Sequence, residues 1–171
     1  MRSDPVIEST SATTADSGTN IGFVSDYLLY LLAAASDAAS GQFHEKVRAS
    51  GLRVPEWRVL ACLYDRDGSM ITRLAGFALV EQSRLTRIIA QMDARGLVTR
   101  RGDPMDRRRV RVYLTDAGRD LASRLVPEAR AHEDRLLQAL RGSDGARLKP
   151  ALRSLLDVLD KGNKEDVSQN D

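Results

Sequence analysis

Gln82-Ser83-Arg84-Leu85-Thr86-Arg87-Ile88-Ile89-Ala90-Gln91-Met92-Asp93-Ala94-Arg95-Gly96 carries two chemistries on one period. At 100° per residue, Ile88, Ile89 and Met92 fall within about 60° of Leu85, which predicts a helix over Gln82–Arg95 with one apolar stripe. The opposite side presents Ser83, Arg87, Ala90 and Ala94, flanked by Arg84, Thr86 and Gln91. Gly96 suits the left-handed position that closes a helix. Ser, Thr, Gln and Arg donate to phosphates, and Arg or Gln pairs with base edges. The helix start at Gln82, Ser83 and Arg84 also favours an anion. A merely solvated face would show the same polarity, so the neighbouring segments have to decide.

Those neighbours fit a nucleic-acid reader. Ile71 to Ala78 reads as a short helix just upstream. Downstream, Leu97 to Arg101 leads into the turn Gly102-Asp103-Pro104-Met105-Asp106, and Arg109 to Leu114 alternates strictly. Val110, Val112 and Leu114 point one way and Arg109, Arg111 and Tyr113 the other, as in a half-buried strand of a hairpin. Short helix, turn, second helix and basic hairpin make a winged helix-turn-helix over about residues 55–115. One helix fits the major groove. The hairpin tip, Asp106-Arg107-Arg108-Arg109, is placed to reach a minor groove, where arginine meets negative potential. Asp106 is expected to hold Arg108 in one rotamer rather than to touch the duplex.

Charge is distributed accordingly. Residues 81–119 hold ten arginines and five acids, a balance of +5, whereas the whole chain carries only +2. A near-neutral protein has concentrated its cations in one segment, the footprint of a polyanion-binding element.

The flanks are helical. Residues 1–20, rich in Ser, Thr and Asp, read as a flexible tail. Phe23, Tyr27, Leu31, Ala34, Ala35 and Ala38 recur at helical spacing within about 21–50, with a kink expected near Gly41. Pro55 suits the first turn of the next helix, whose one face carries Trp57, Leu60, Leu63 and Tyr64. Thr115 or Asp116 caps a helix to about Leu140 with Pro127 inside it, and a last helix carries Leu148, Leu152, Leu155, Leu156 and Leu159, giving a helical segment over about 116–161. Residues 162–171 read as a second flexible tail. The stripes Leu121, Leu125, Leu136, Leu137 and Leu140, and Leu148 to Leu159, suit either a helix bundle between two chains or a core within one. The fold class is therefore mainly α with a small β-hairpin wing, 21–161 forming a single domain.

Several function classes drop out. The longest apolar run, Tyr27 to Ala35, is too short to span a membrane. The first twenty residues lack the apolar stretch of a secretory signal, so a cytoplasmic location is expected. With one cysteine, Cys62, and two well-separated histidines, His44 and His132, no disulfide, metal site or cofactor is expected. Cys62 sits between Ala61 and Leu63 and reads as a small apolar group, an oxidant sensor being the alternative. No Ser-His-Asp order, phosphate-cradling glycine loop or paired catalytic carboxylates point to an enzyme.

Ser83-Arg84-Leu85-Thr86-Arg87-Ile88-Ile89, Met92-Asp93-Ala94-Arg95-Gly96-Leu97-Val98, Asp103-Pro104-Met105-Asp106-Arg107-Arg108-Arg109 and Leu114-Thr115-Asp116-Ala117-Gly118-Arg119 together resemble the recognition helix, wing and following helix of MarR-type regulators. The resemblance covers residues 21–161 in element order, with its specific motifs between 71 and 119. Gly76 departs from a good helix former in the first helix of the motif and weakens it by up to about 1 kcal/mol. The resemblance implies a homodimer whose first and last helices intertwine, a pseudo-palindromic double-stranded DNA operator, and usually repression. It implies DNA contacts from Gln82, Ser83, Arg84, Thr86, Arg87, Arg107, Arg108 and Arg109. It also implies an effector pocket between the dimer helices and the DNA-binding lobe, for which His44, Arg48, Trp57 and Arg58 are the candidates. Phe43-His44 and Val54-Pro55-Glu56-Trp57-Arg58-Val59-Leu60 are similar to regulators of aromatic-acid catabolism, which implies an anionic aromatic or acyl-CoA effector. Residue by residue, the alternatives are a core Trp57, a hydrogen-bonded or surface His44 and solvated arginines. The competing function is a helical adaptor that binds protein and not DNA, which would have no need of the wing arginines.

Overall fold

The computed structural model describes residues 22–106, 109–140 and 142–168, with side chains as far as Asp160. In chain order the elements are α1 (Phe23–Asp26), α2 (Leu28–Ala49), α3 (Val54–Asp65), β1 (Ser69–Met70), α4 (Ile71–Ala78), α5 (Gln82–Ala94), β2 (Val98–Gly102), β3 (Val110–Leu114), α6 (Asp116–Ala139) and α7 (Asp144–Ser168). The chain divides between Asp37 and Ala38 into two compact units.

In the first unit, the ring of Phe23 stacks on Tyr27 at 5.2 Å, and Ser25 donates its hydroxyl to the Gly22 carbonyl at 2.8 Å. The backbone leaves helical geometry at Tyr27 (φ −72°, ψ 121°). No interruption occurs at Gly41: α2 runs unbroken through it. One glycine costs about 1 kcal/mol in a helix, which the neighbouring alanines tolerate.

The second unit holds the core. The stripe Leu85, Ile88, Ile89 and Met92 of α5 is buried, as its period required, against Leu74 and Ala78 of α4 and Val59, Leu60 and Leu63 of α3. Val98, Val112 and Leu114 of the sheet and Ala122 and Leu125 of α6 join them. The strand order is β1-β3-β2, all antiparallel, with Val98 opposite Leu114 and Gly102 opposite Val110. The hairpin is thus part of a three-stranded sheet. β1 pairs Ser69 with Val112 and Met70 with Arg111, and two residues are too few to show a period in sequence.

Thr115 caps α6 by accepting from the Gly118 N–H at 3.1 Å, while its own hydroxyl donates to the Gly96 carbonyl at 2.6 Å. That pair docks α6 on the turn between α5 and β2. α7 continues past residue 161 to Ser168, where the sequence suggested a tail. The helix passes through Gly162, and no proline lies between there and Ser168 to stop it. The tails at 1–20 and 169–171 lie outside the described residues.

The leucine stripes divide between their two possible uses. Leu125 is buried in the intrachain core and Leu121 packs against it, whereas Leu136 of α6, Leu140 at its C-cap and Leu148, Leu152, Leu156 and Leu159 of α7 are exposed. Among the described residues no helix is long and apolar enough to cross a membrane.

The turn between α4 and α5 holds the only non-glycine residue with positive φ among those described, Leu79 at φ 53°. Its side chain is 76% exposed, so little packing offsets the left-handed conformation. Leu79→Gly should therefore leave stability unchanged or raise it by up to about 1 kcal/mol. Thermal unfolding checks this, and a clear loss would show that Leu79 makes contacts its exposure does not reveal.

Candidate nucleic-acid interface

Burying Leu85, Ile88, Ile89 and Met92 fixes the rotation of α5, and the opposite side faces out. Gln82, Ser83, Arg84, Thr86, Arg87 and Gln91 are all exposed. Two clefts flank the helix. One, of about 490 Å³, is lined by Met70, Ile71 and Thr72 where α4 begins, by Gln82 and Thr86 of α5, and by Arg109 and Val110 of the wing. The other lies on the side of α3.

The ten arginines of residues 81–119 are not equivalent. Arg95 donates to Glu56 at 3.0 Å and to the Gly51 carbonyl at 2.7 Å. Arg100 donates to Asp93 at 2.8 Å, Arg109 to Asp106 at 3.1 Å and Arg119 to Asp67 at 2.6 Å. Arg101 lies over the Tyr113 ring at 5.0 Å. Arg111 donates to Asp103 and to the Gly68 carbonyl. Six of the ten are thus engaged in holding the fold together. Arg84 and Arg87 form no ion pair among the described residues, and both stand on the outer face of α5. Arg107 and Arg108 lie outside the described residues, and with them the expected Asp106–Arg108 contact.

The acid that organises the wing is Asp103. It is 5% exposed, and its Oδ1 accepts the Met105 N–H at 2.8 Å and the Asp106 N–H at 3.3 Å, while Oδ2 takes Arg111. The Met105 amide first, and then Arg111, hold its carboxyl below the usual range. Asp106 engages Arg109. The sequence singled out Asp106 as the arginine-orienting acid, whereas the burial that gives Asp103 the larger role is a property of the folded turn.

Two hydroxyls expected to donate outward are already committed. Ser83 donates Oγ to Glu81, the N-cap of α5, whose carboxylate also takes the Ser83 N–H at 3.3 Å. Thr86 donates Oγ1 to the Gln82 carbonyl at 2.9 Å. Glu81 is held below its usual pKa chiefly by the Ser83 hydroxyl. The outer ends of Ser83 and Thr86 thus offer acceptors in this state, and the strong donors on α5 are Arg84, Arg87 and the amides of Gln82 and Gln91.

Glu56 was missed as a site residue because a lone glutamate near a helix start looks like a surface cap. It is 1% exposed. Its Oε2 accepts the Arg53 N–H at 2.7 Å, and Oε1 accepts Arg53 Nη2 at 2.8 Å and Arg95 Nη1 at 3.0 Å. Burial pushes the carboxyl up, but the Arg53 hydrogen bonds and the charges of Arg53 and Arg95 outweigh it, and its pKa is lowered. A depressed folded-state pKa means the unfolded chain binds the proton more readily. The contribution of Glu56 is therefore present above its unfolded value of about 4.3 and lost as pH falls through the folded one. Urea unfolding should show Glu56→Gln less stable than the parent near neutrality, with the gap narrowing below about pH 4; a gap constant with pH would contradict the ionised buried carboxylate.

The four effector candidates are dispersed over several environments. Trp57 is buried with its ring edge-on to Phe43 at 5.3 Å. Arg58 donates Nη1 to the Ala78 carbonyl at 3.1 Å, which ties α3 to the end of α4. His44 is half-buried and Arg48 exposed on α2. An unanticipated member joins them. His132 of α6 is buried, stacks on Phe43 with ring centroids 6.0 Å apart, and places Nε2 2.7 Å from the Ala39 carbonyl. No short motif surrounds His132 in sequence, so only the fold reveals it. For Cys62, burial and then the charge of Asp65 push the thiol pKa up, which keeps it protonated and poorly nucleophilic.

Comparison with known proteins bears on this arrangement. The family model for the MarR family matches residues 52–110, from the start of α3 into the wing. A MarR family transcriptional regulator of known structure from Silicibacter pomeroyi DSS-3 is 67% identical, with a TM-score of 0.75, covering 81% of this chain and 98% of that one. The repressor CouR of Rhodococcus jostii RHA1, solved on a 23-mer DNA duplex, is 29% identical with a TM-score of 0.66, covering 81% of this chain and 96% of CouR. BpsR of Bordetella bronchiseptica, whose DNA binding is regulated by 6-hydroxynicotinic acid, is 26% identical with a TM-score of 0.69, covering 78% of this chain and 95% of BpsR. Identity of 67% across nearly the whole of a MarR structure, on the same winged helix-turn-helix, places the chain in the MarR family of transcriptional regulators.

Proposed function

We propose that this protein is a homodimeric repressor that binds a pseudo-palindromic operator through α5 and the wing, and leaves it when a small aromatic acid binds. The observation that carries the reading is the state of Arg84 and Arg87. In a segment where most of the described arginines are engaged inside the fold, these two stand exposed, with no ion pair among the described residues, on the helix face that core packing turns outward. Gln82, Thr86 and Arg109 share the cleft beside them, and Ser83, Arg107 and Arg108 complete the set assigned to the duplex. Asp106 acts there through Arg109. CouR on DNA supports the DNA role.

The exposed leucines of α7 and of the end of α6 provide the apolar surface a second copy would cover. A regulator of this kind works in the cytoplasm, where the chromosome is. His44, Arg48, Trp57 and Arg58 remain the effector candidates, and His132 joins them through Phe43. An anionic aromatic effector is supported by BpsR and by the cationic and aromatic character of these side chains. A ligand at about 100 times its Kd adds about 2.7 kcal/mol of apparent stability. A thermal-shift series of aromatic acids, 6-hydroxynicotinic acid included, and of their CoA thioesters tests the effector.

The DNA role is tested by a salt series on promoter fragments. Affinity should fall as a power of salt, with a slope of about −0.9 for each phosphate neutralised. Absent or salt-independent binding would leave the adaptor function instead.

A further inference from the structure

The second cleft beside α5, of about 210 Å³, is lined by Arg53, Pro55, Arg84, Arg87, Ile88 and Gln91. It lies across the helix from the wing. Arg53, the residue that precedes α3, reaches into it with 57% of its side chain exposed. Its Nη2 donates to Glu56 and to the amide oxygen of Gln91. The Nη1 and Nε donors have no partner among the described residues. Among the described residues the carboxylate bonded to Arg53 is Glu56, which is buried and shared with Arg95. Three guanidiniums therefore line a cleft against two carboxylates outside its lining: Glu56, buried and divided between Arg53 and Arg95, and Glu81, whose charge acts on Arg87 from the N-cap of α5. Such an excess is an anion site.

We propose that this cleft holds a backbone phosphate of the operator, gripped by Arg53. The inference rests on the DNA-binding reading of α5. A helix with its side chains is about 10–12 Å across and the major groove about 12 Å wide, so phosphates of both strands border a helix lying in it. The cleft at the wing faces one strand, and the Arg53 cleft faces the other. Glu56 holds the guanidinium from its buried side and leaves its remaining edge to the phosphate. Because a guanidinium only donates, Gln91 must turn its oxygen toward Arg53, so its NH2 group points away from Arg53 as a donor.

The experiment measures binding of the full chain to operator and to random duplex across a salt series for the parent, Arg53→Ala, Arg53→Gln and Arg53→Lys, each below its own melting temperature. The magnitude of the slope of log affinity against log salt should fall by about two per bound dimer in Arg53→Ala and Arg53→Gln, roughly 0.9 for the phosphate lost in each half-site. Both DNAs should weaken by the same factor, because a phosphate carries no sequence, and Arg53→Lys should restore the parental slope. Parental slopes in the alanine and glutamine variants would overturn the proposal. A slope that lysine fails to restore would trace the loss to a distorted α3 and overturn it as well. If the parent itself binds without salt dependence, the DNA reading has failed rather than this contact alone.

Discussion

Gly118→Ala should cost about 3 kcal/mol or more of folding stability, or roughly 6–12 °C in Tm for a chain of this size. A methyl group there would sit 1.9 Å from the Leu97 carbonyl oxygen and 3.0 Å from its carbon. Neither atom is the flexible end of a side chain. The Leu97 carbonyl accepts the Thr115 N–H at 3.3 Å, Gly118 itself donates to Thr115, and Thr115 bonds Gly96. To make room, α6 would have to lift off the turn that closes α5 and opens the wing. Gly76→Ala is the control, because that position has open space and should gain up to about 1 kcal/mol of helix propensity. Parental stability in Gly118→Ala would contradict the close docking of α6.

Arg87→Ala should cost about 1–3 kcal/mol of operator affinity, roughly 5- to 150-fold, and relax specificity at one position in each half-site. The side chain is exposed on the outer face of α5 and pairs with no acid among the described residues, so its removal does not strand a buried charge. Arg101→Ala provides the contrast. That guanidinium lies over Tyr113, so it should act mainly through the wing and change operator and random DNA alike. Equal losses on both DNAs for Arg87→Ala would make Arg87 a phosphate contact rather than a base reader. Unchanged affinity would remove it from the interface.

The elements that sequence reading recovers best are those whose period is enforced by one buried face. Leu85, Ile88, Ile89 and Met92 gave α5, and the alternation ending in Val112 and Leu114 gave β3, because one core buries these residues; Val110, expected on the same face, is exposed where β3 begins. Ile71–Ala78 matches α4 despite Gly76, since tertiary packing of Leu74 and Ala78 overrides a modest propensity cost. β1 escaped because two residues have no period and exist as a strand only through pairing with β3.

Side-chain roles were less legible, for a physical reason. Residue type shows that an arginine can bind an anion, but not whether an acid from a distant segment reaches it first. Arg95 meets Glu56, Arg119 meets Asp67 and Arg58 meets the Ala78 carbonyl across long separations in the chain. The excess of positive charge in residues 81–119 therefore overstated what is available to a duplex. Conversely, Arg53 lies outside that segment and was passed over, although folding brings it beside Arg84 and Arg87. The effector candidates suffered most, because a pocket is defined by which helix faces meet, and neither His132 nor its stacking on Phe43 has a local signature.

Dimethyl sulfate protection on the operator distinguishes the two grooves most directly, since it methylates guanine N7 in the major groove and adenine N3 in the minor groove. With α5 in the groove, N7 positions should be protected in two tracts centred about one helical turn, roughly 10 bp, apart, and Arg87→Ala should reopen a guanine within each tract. Full reactivity of every N7 in a saturated complex would contradict the placement of α5 in the major groove.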